Sequence, residues 1–296
     1  MRLNKKKILL IGSNGFFGKN FYNKFKKIFI IKKANRKTNI FKLNFKNYDY
    51  IINCAAEVYN ERLMFKNNTY LVYKIIDKYL TDNSSAKIIH FGSSSEYGKY
   101  GRPTSELDVL KPSTTYECTK GAATLLLQGL SQNFQIPCII FRPYSIYGPM
   151  ENASRLIPTI FRHFLYNEKL IVYNGYHDFV YIDDISNIIF NICKKWIKTA
   201  YGEIINLGTG KQYSNYQVLK LCEKVLKKKS NAIIRKGFQR VYDNPKWLSN
   251  ASKMKKYNIK LDTSLEDGIK KYWKYLIQNK GKKILFSKKN NFKKMY

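Results

Sequence analysis

Tyr116 and Lys120 stand four residues apart in Pro112-Ser113-Thr114-Thr115-Tyr116-Glu117-Cys118-Thr119-Lys120. This stretch opens a helical pattern that continues through Leu127. Residues four apart on a helix share a face. An ammonium beside a phenol favours the phenolate and so tunes the phenol for proton transfer. The pair carries little information by itself. Tyr-x-x-x-Lys recurs at Tyr22/Lys26, Tyr70/Lys74, Tyr216/Lys220 and Tyr242/Lys246, and an isolated pair reads as a solvated helix face. Its surroundings decide. The apolar run Ile88-Ile89-His90-Phe91 delivers Gly92-Ser93-Ser94-Ser95-Glu96-Tyr97-Gly98, which places hydroxyls in a loop at the end of a buried strand. A second loop, Gly12-Ser13-Asn14-Gly15-Phe16-Phe17-Gly18, lies between the strand pattern Lys7–Ile11 and a helix expected over Phe16–Lys26. Glycines there let the backbone turn tightly and approach a pyrophosphate held on the helix N-terminus. Hydroxyl, phenol, ammonium and dinucleotide together describe a hydride-transfer site.

The elements needed to position these groups are legible. A strand at Ile28–Ile31 should end at the adenosine ribose, where an acidic residue would hold a 2′-hydroxyl. The chain offers Lys32-Lys33-Ala34-Asn35-Arg36, with no acid before Asp49, which favours the 2′-phosphate of NADP. Strands follow at Tyr50–Cys54, Ile88–Phe91 and Cys138–Phe141, with a helix near Asn67–Tyr79. This alternation predicts an α/β fold, a Rossmann-type doubly wound parallel sheet with a smaller C-terminal substrate lobe. The Rossmann domain is assigned to residues 1–150, with 180–208 returning to it. The lobe takes 151–179 and 209–279, with helices at Tyr213–Lys227, near Ser249–Tyr257 and at Ser264–Ile277. Asp183 and Asp184 open a helix over Ile185–Trp196, where acids complement the helix dipole.

Bulk composition bounds the partners. The chain has 296 residues, 44% of them hydrophobic, and a formal net charge of +34. Lysine is spread along the whole length, so the charge reads as compositional habit and no nucleic-acid partner is expected, although an anionic substrate gains from the field. Cys54, Cys118, Cys138, Cys193 and Cys222 form no C-x-x-C pair and read as buried free thiols of a reducing, cytoplasmic compartment. Three scattered histidines give no metal-site spacing. No run reaches the roughly 20 apolar residues of a membrane helix, so no transmembrane segment is expected. Residues 280–296 carry seven lysines and no acid, and read as a basic disordered tail.

In order along the chain stand the glycine triplet, Asn53-Cys54-Ala55-Ala56, Ser93-Ser94-Ser95-Glu96-Tyr97-Gly98 and Tyr116-x-x-x-Lys120. Arg142-Pro143-Tyr144-Ser145-Ile146-Tyr147-Gly148-Pro149, His177 to Asp184 and Asn206-Leu207-Gly208-Thr209-Gly210 follow. With these, residues 6–277 resemble the extended short-chain dehydrogenase/reductases of the nucleotide-sugar epimerase/dehydratase group. The resemblance implies that Tyr116 exchanges a proton with the sugar oxygen, that Lys120 lowers its pKa and meets the nicotinamide ribose, and that Ser93 holds the reacting oxygen. It places Gly12, Asn14, Gly15, Phe16, Phe17 and Gly18 around the pyrophosphate, Arg36 at the ribose phosphate, and Ala55, Asn68 and Pro143 against the cofactor. Ser94, Ser95, Ser145, Arg155, His177 and Arg240 fall to the substrate, a nucleotide-diphosphate sugar, and the last three are candidates for its diphosphate.

Departures narrow the implied reaction. Dehydratases of this group carry Asp and Glu where this chain has Ser94 and Ser95, with Glu96 one place too late. GDP-fucose synthases carry a Cys and a His where it has Ser95 and Arg155. What the resemblance then implies is reduction of a nucleotide-linked 4-keto-6-deoxy sugar with NADP, NAD being the other candidate. An NAD-retaining 4-epimerase is the second reading, and a non-catalytic nucleotide-binding scaffold the third. Family members are often dimers through the helix pair that includes the Tyr116 helix, so a homodimer is expected, and Leu125-Leu126-Leu127 fits that role.

Overall fold

Short runs of aliphatic residues punctuated by glycine build the centre of the molecule. The structure, a computed structural model, describes residues 5–238 and 246–279. Five parallel strands come first: β1 (Lys7–Ile11), β2 (Ile30–Ala34), β3 (Tyr50–Asn53), β4 (Lys87–Phe91) and β5 (Cys138–Pro143). A sixth, Glu203–Leu207, returns to pair with β5. Their spatial order is β2-β1-β3-β4-β5 and then Glu203–Leu207. Side chains alternate between two cores. Ile8, Leu10, Ile52, Ile89, Phe91 and Phe141 face one side, Leu9, Ile11, Ile51, Ile88 and Ile140 the other. Strands buried on both faces read as continuous hydrophobic runs, which is why they were visible in the sequence.

Helix α1 (Phe16–Phe25) and the helix Ile182–Lys194 cover the first face through Phe17, Phe21, Phe25, Ile185, Ile188 and Ile189. The second face is covered from α2 (Glu61–Met64), which runs through a π turn at Phe65–Tyr70 into α3 (Leu71–Thr81), and by α4 (Thr115–Asn133). Each fully buried aliphatic side chain contributes about 1.5–3 kcal/mol. Residues beyond β5 add short two-stranded ladders and the helices Leu156–Tyr166, Asn215–Leu226, Ser252–Lys256 and Leu265–Gln278.

Several expected boundaries move. The second strand begins at Ile30, because Ile28 and Phe29 hydrogen-bond back to Phe25 and Phe29 closes the core beneath α1. As an edge strand it exposes Ile30 and carries Lys32 and Lys33 within it. The helix expected from Asn67 starts at Glu61 and widens into the π turn around buried Asn68. The helix expected from Ile185 starts at Ile182, so its first turn does hold Asp183 and Asp184. They do more than complement the dipole. Asp184 accepts from the Thr263 amide at 2.9 Å and hydroxyl at 2.7 Å, and Asp183 lies 3.5 Å from Lys24. The helix expected near Ser249 is confined to Ser252–Lys256, because Ser249 is drawn into a bridge with Thr104. Among the cysteines, Cys138, Cys193 and Cys222 are buried, Cys54 is half-buried and Cys118 is exposed. No helix among the described residues is long and apolar enough to cross a membrane.

Candidate active site

The chain leaves β1 toward β2 on one side and returns to β3 on the other. The carboxyl ends of β1 and β3 therefore flank a crevice at a topological switch point, where doubly wound folds bind ligands. The glycine turn fills its floor. Gly12 has φ +86°, and a Cβ there would lie 2.5 Å from the Ala55 amide nitrogen. A Cβ on Gly18 would fall against the Gly12 carbonyl oxygen. The turn is held by Gly12 and Ser13 amides donating to Ala34 O at 3.0 and 3.1 Å, and by Gly15 N donating to Gly12 O at 2.9 Å. Gly15, the N-cap of α1, offers no side-chain acceptor, and the first turn has no acid. Its amides and dipole suit a pyrophosphate.

Of the residues expected around that group, Asn14 and Gly15 are exposed and Phe16 is half-buried at the helix start. The Phe17 side chain turns the other way, into the core against Phe91 at 4.4 Å, so it can offer only its backbone. Asn68, expected against the cofactor, is committed to protein. Its Oδ1 accepts from Glu57 N at 2.7 Å, and its Nδ2 donates to Glu57 O and to Thr119 Oγ1, both at 3.0 Å. Arg36 is not an unengaged cation at the ribose end: its Nη2 donates to Glu57 Oε2 at 2.5 Å. Half-buried Ala55 and buried Pro143 lie at the ends of β3 and β5.

The candidate reacting groups come from two capping boxes. Ser93 ends the β4 run and caps the short turn Ser94–Tyr97, its hydroxyl accepting from Ser95 N at 3.2 Å while Glu96 Oε1 accepts from Ser93 N at 2.7 Å. Thr114 caps α4 with Glu117, which sets Tyr116 in the first turn and Lys120 one turn on. The Ser93 hydroxyl lies 2.7 Å from that of Ser95, and it is close enough to the Tyr116 phenol to favour the phenolate. Burial raises the Tyr116 pKa, so the phenol holds its proton at neutral pH, while the Ser93 hydroxyl and the Arg155 guanidinium act the other way. Lys120 does not bond the phenol directly. Its buried ammonium donates to Phe91 O at 2.5 Å, and burial lowers its pKa to about 8.

Beneath this surface, Glu96 and Arg142 form a buried pair at 2.7 Å. Thr124 donates to Glu96 at 3.0 Å, and Arg142 donates to Tyr97 at 3.0 Å. Tyr97 in turn donates to Asn206 at 2.7 Å. Glu96 thus serves the loop from below. Ser94 is buried and accepts from Trp247 Nε1 at 3.1 Å. Ser145 lies 3.2 Å from His177 Nδ1, away from the serine loop's hydrogen bonds. Arg155 stands at the N-terminal edge of the helix Leu156–Tyr166 without capping it, lies 3.7 Å from buried Glu151, and acts electrostatically on Tyr116. Arg240 falls outside the described residues.

Three features escaped sequence reasoning. Glu57 follows Ala55-Ala56 and could have been found as the first acid past β3, opposite in sign to Arg36 past β2. Trp247 carried no local signal, because its bond to Ser94 spans 153 residues. Nor did Tyr59, whose hydroxyl accepts from Asn152 at 2.8 Å and ties residues 151–155 to the loop after β3.

The model of the NAD dependent epimerase/dehydratase family matches residues 8–208, more than half of the chain, and the chain belongs to that family. Its cofactor class is accordingly NAD(P), and the crevice described here fits one. Among curated relatives, a dTDP-D-glucose 4,6-dehydratase of Dictyostelium discoideum is 26% identical over 266 residues, covering 72% of this chain and 61% of its own. A UDP-glucuronate 4-epimerase of Thermodesulfobacterium geofontis is 30% identical over 200 residues, covering 65% of this chain and 59% of its own. The chain thus spans about three fifths of the length of these two relatives. Among solved structures, a dTDP-glucose 4,6-dehydratase from Bacillus anthracis in complex with NAD superposes with a TM-score of 0.81 at 20% identity, over 93% of this chain and 98% of the other.

Proposed function

We propose that this protein reduces the 4-keto group of a nucleotide-linked 4-keto-6-deoxy sugar with NAD(P)H, in the supply of precursors for cell-surface polysaccharide. The observation that carries the reading is the convergence of Ser93, Tyr116 and buried Lys120 at the end of β4, beside a loop with no carboxylate at Ser94 or Ser95. Ser94 is tied to Trp247, and Glu96 is buried on Arg142, so neither supplies the acid and base that elimination of water needs.

The bound dinucleotide would supply the hydride. Gly12, Gly15, Gly18 and the first amides of α1 would hold its pyrophosphate. Ser93 orients the substrate oxygen, and Tyr116, protonated at neutral pH, donates the proton to it. Lys120 lies one turn below, where its ammonium would hold the nicotinamide ribose and support the phenolate left by proton transfer. Arg155 faces the same side and suits the diphosphate, with Ser145 and His177 further along the lobe. Lys32, Lys33 and Arg36 support NADPH, and the carboxylate on Arg36 leaves NADH open.

A 4-epimerase that keeps NAD and returns the hydride would use the same three residues, and the likeness to the UDP-glucuronate 4-epimerase favours it as the second reading. Purified protein supplied with NADPH and a panel of nucleotide-linked 4-keto-6-deoxy sugars tests the two. Stoichiometric loss of near-ultraviolet absorbance with one sugar supports the reductase. No consumption, with NAD released on denaturation, selects the epimerase. The family resemblance also supports a homodimer through α3 and α4.

A further inference from the structure

Arg36 lies two residues past β2, and Glu57 four residues past β3. These strands flank β1, so their ion pair spans the carboxyl end of β1, outside the glycine turn. The carboxylate is fixed. Glu57 is 5% exposed, and its Oε1 accepts from the amides of Val58, Tyr59 and Asn60 at 3.1, 3.0 and 3.2 Å. Asn68 clamps the Glu57 backbone on both sides, and Thr119 of α4 holds Asn68. The Arg36 side chain is 68% exposed, so the guanidinium stays open to solvent and to a ligand.

We propose that Glu57 determines cofactor selectivity by holding Arg36 in a charge-neutral pair at the adenosine-ribose end of the crevice. The inference rests on the dinucleotide reading of this site. A cation alone at this place favours the doubly charged 2′-phosphate of NADP. Here that phosphate must approach a guanidinium already bonded to a carboxylate that cannot swing away, and it meets the carboxylate's repulsion. A 2′-hydroxyl carries no charge and meets no such opposition. The site then takes NADH and NADPH with similar affinity, although the end of β2 is basic.

The test is equilibrium binding of NADH and NADPH to the full chain, freed of any dinucleotide carried through purification and followed by nicotinamide fluorescence. The wild type should bind the two within about tenfold of each other. Glu57→Gln keeps an acceptor for the three amides and frees Arg36. It should shift the affinity ratio toward NADPH by at least about tenfold, and adding Arg36→Gln should cancel the gain. A folded Glu57→Gln protein whose ratio stays within about twofold of wild type overturns the inference. Arg36→Gln alone tests it even where Glu57→Gln does not fold. NADPH should weaken by at least about tenfold and NADH by less than about threefold, and equal losses overturn the inference. Failure of the wild type to bind either dinucleotide overturns the dinucleotide reading as well, which separates the two failures.

Discussion

Glu96 and Arg142 meet at 2.7 Å beneath the serine loop, both essentially closed to solvent. The pair joins β5 to the turn that carries Ser93, because the same carboxylate accepts the Ser93 amide. Burial raises the Glu96 pKa, with Arg142 and then Lys120 pulling it back. Arg142→Leu leaves this carboxyl without its partner and should cost about 3–5 kcal/mol in urea unfolding. Turnover should fall with it, since Ser93 loses its anchor. An unchanged unfolding midpoint would show that the pair does not hold the loop.

Removing the phenol tests the proton donor. Tyr116→Phe should lower turnover by about 10²–10⁴-fold. Ser93→Ala should lower it less, because the phenol remains. Dinucleotide binding should survive in both variants. Full activity in Tyr116→Phe would transfer the proton to another group.

Lys120 predicts opposite responses of activity and stability to alkali. Its folded-state pKa of about 8 lies below the ordinary 10.5, so the unfolded chain binds more protons between these values. The contribution of this group to stability therefore rises with pH across that window, by up to about 3 kcal/mol. Activity should fall over the same range as the ammonium is lost. Lys120→Met should remove most activity and flatten this part of the stability profile. Unfolding free energies measured between pH 7 and 10.5 for both proteins check the sign.

The outer face of α4 exposes Cys118, Ala122, Leu125 and Gly129 at helical spacing, and Phe65, Tyr70 and Tyr73 are exposed on the neighbouring helix. A homodimer through this face predicts that Leu125→Glu yields monomers in sedimentation equilibrium at concentrations where the wild type is dimeric. A wild-type monomer, or a variant that stays dimeric, would place the contact elsewhere or remove it.

Local physics made the frame legible in the sequence. Strands buried on two faces must be apolar throughout, so β1, β3, β4 and β5 announced themselves. The glycine turn could be read because its backbone has no room for a Cβ, and Tyr116 and Lys120 because one helical turn separates them. Edge strand β2 starts two residues inside its apolar run, since an edge exposes much of its side-chain surface and its pattern weakens. The resemblance puts Asn68 and Phe17 at the cofactor, but hydrogen bonds and packing from other segments engage their side chains.

Sequence by itself determined the order of strands and helices along the chain, the glycine turn, the hydroxyls of the loop after β4 and the one-turn spacing of Tyr116 and Lys120, because each depends on neighbours within a few residues. Only the tertiary structure decided what those groups meet. Lys120 is held by a carbonyl 29 residues away, Ser94 by a tryptophan 153 residues away, and Arg36 by a carboxylate 21 residues away. Such pairings depend on which loops the sheet order brings together. That order follows from long-range burial and from the crossing of the chain over β1, and no local pattern encodes it.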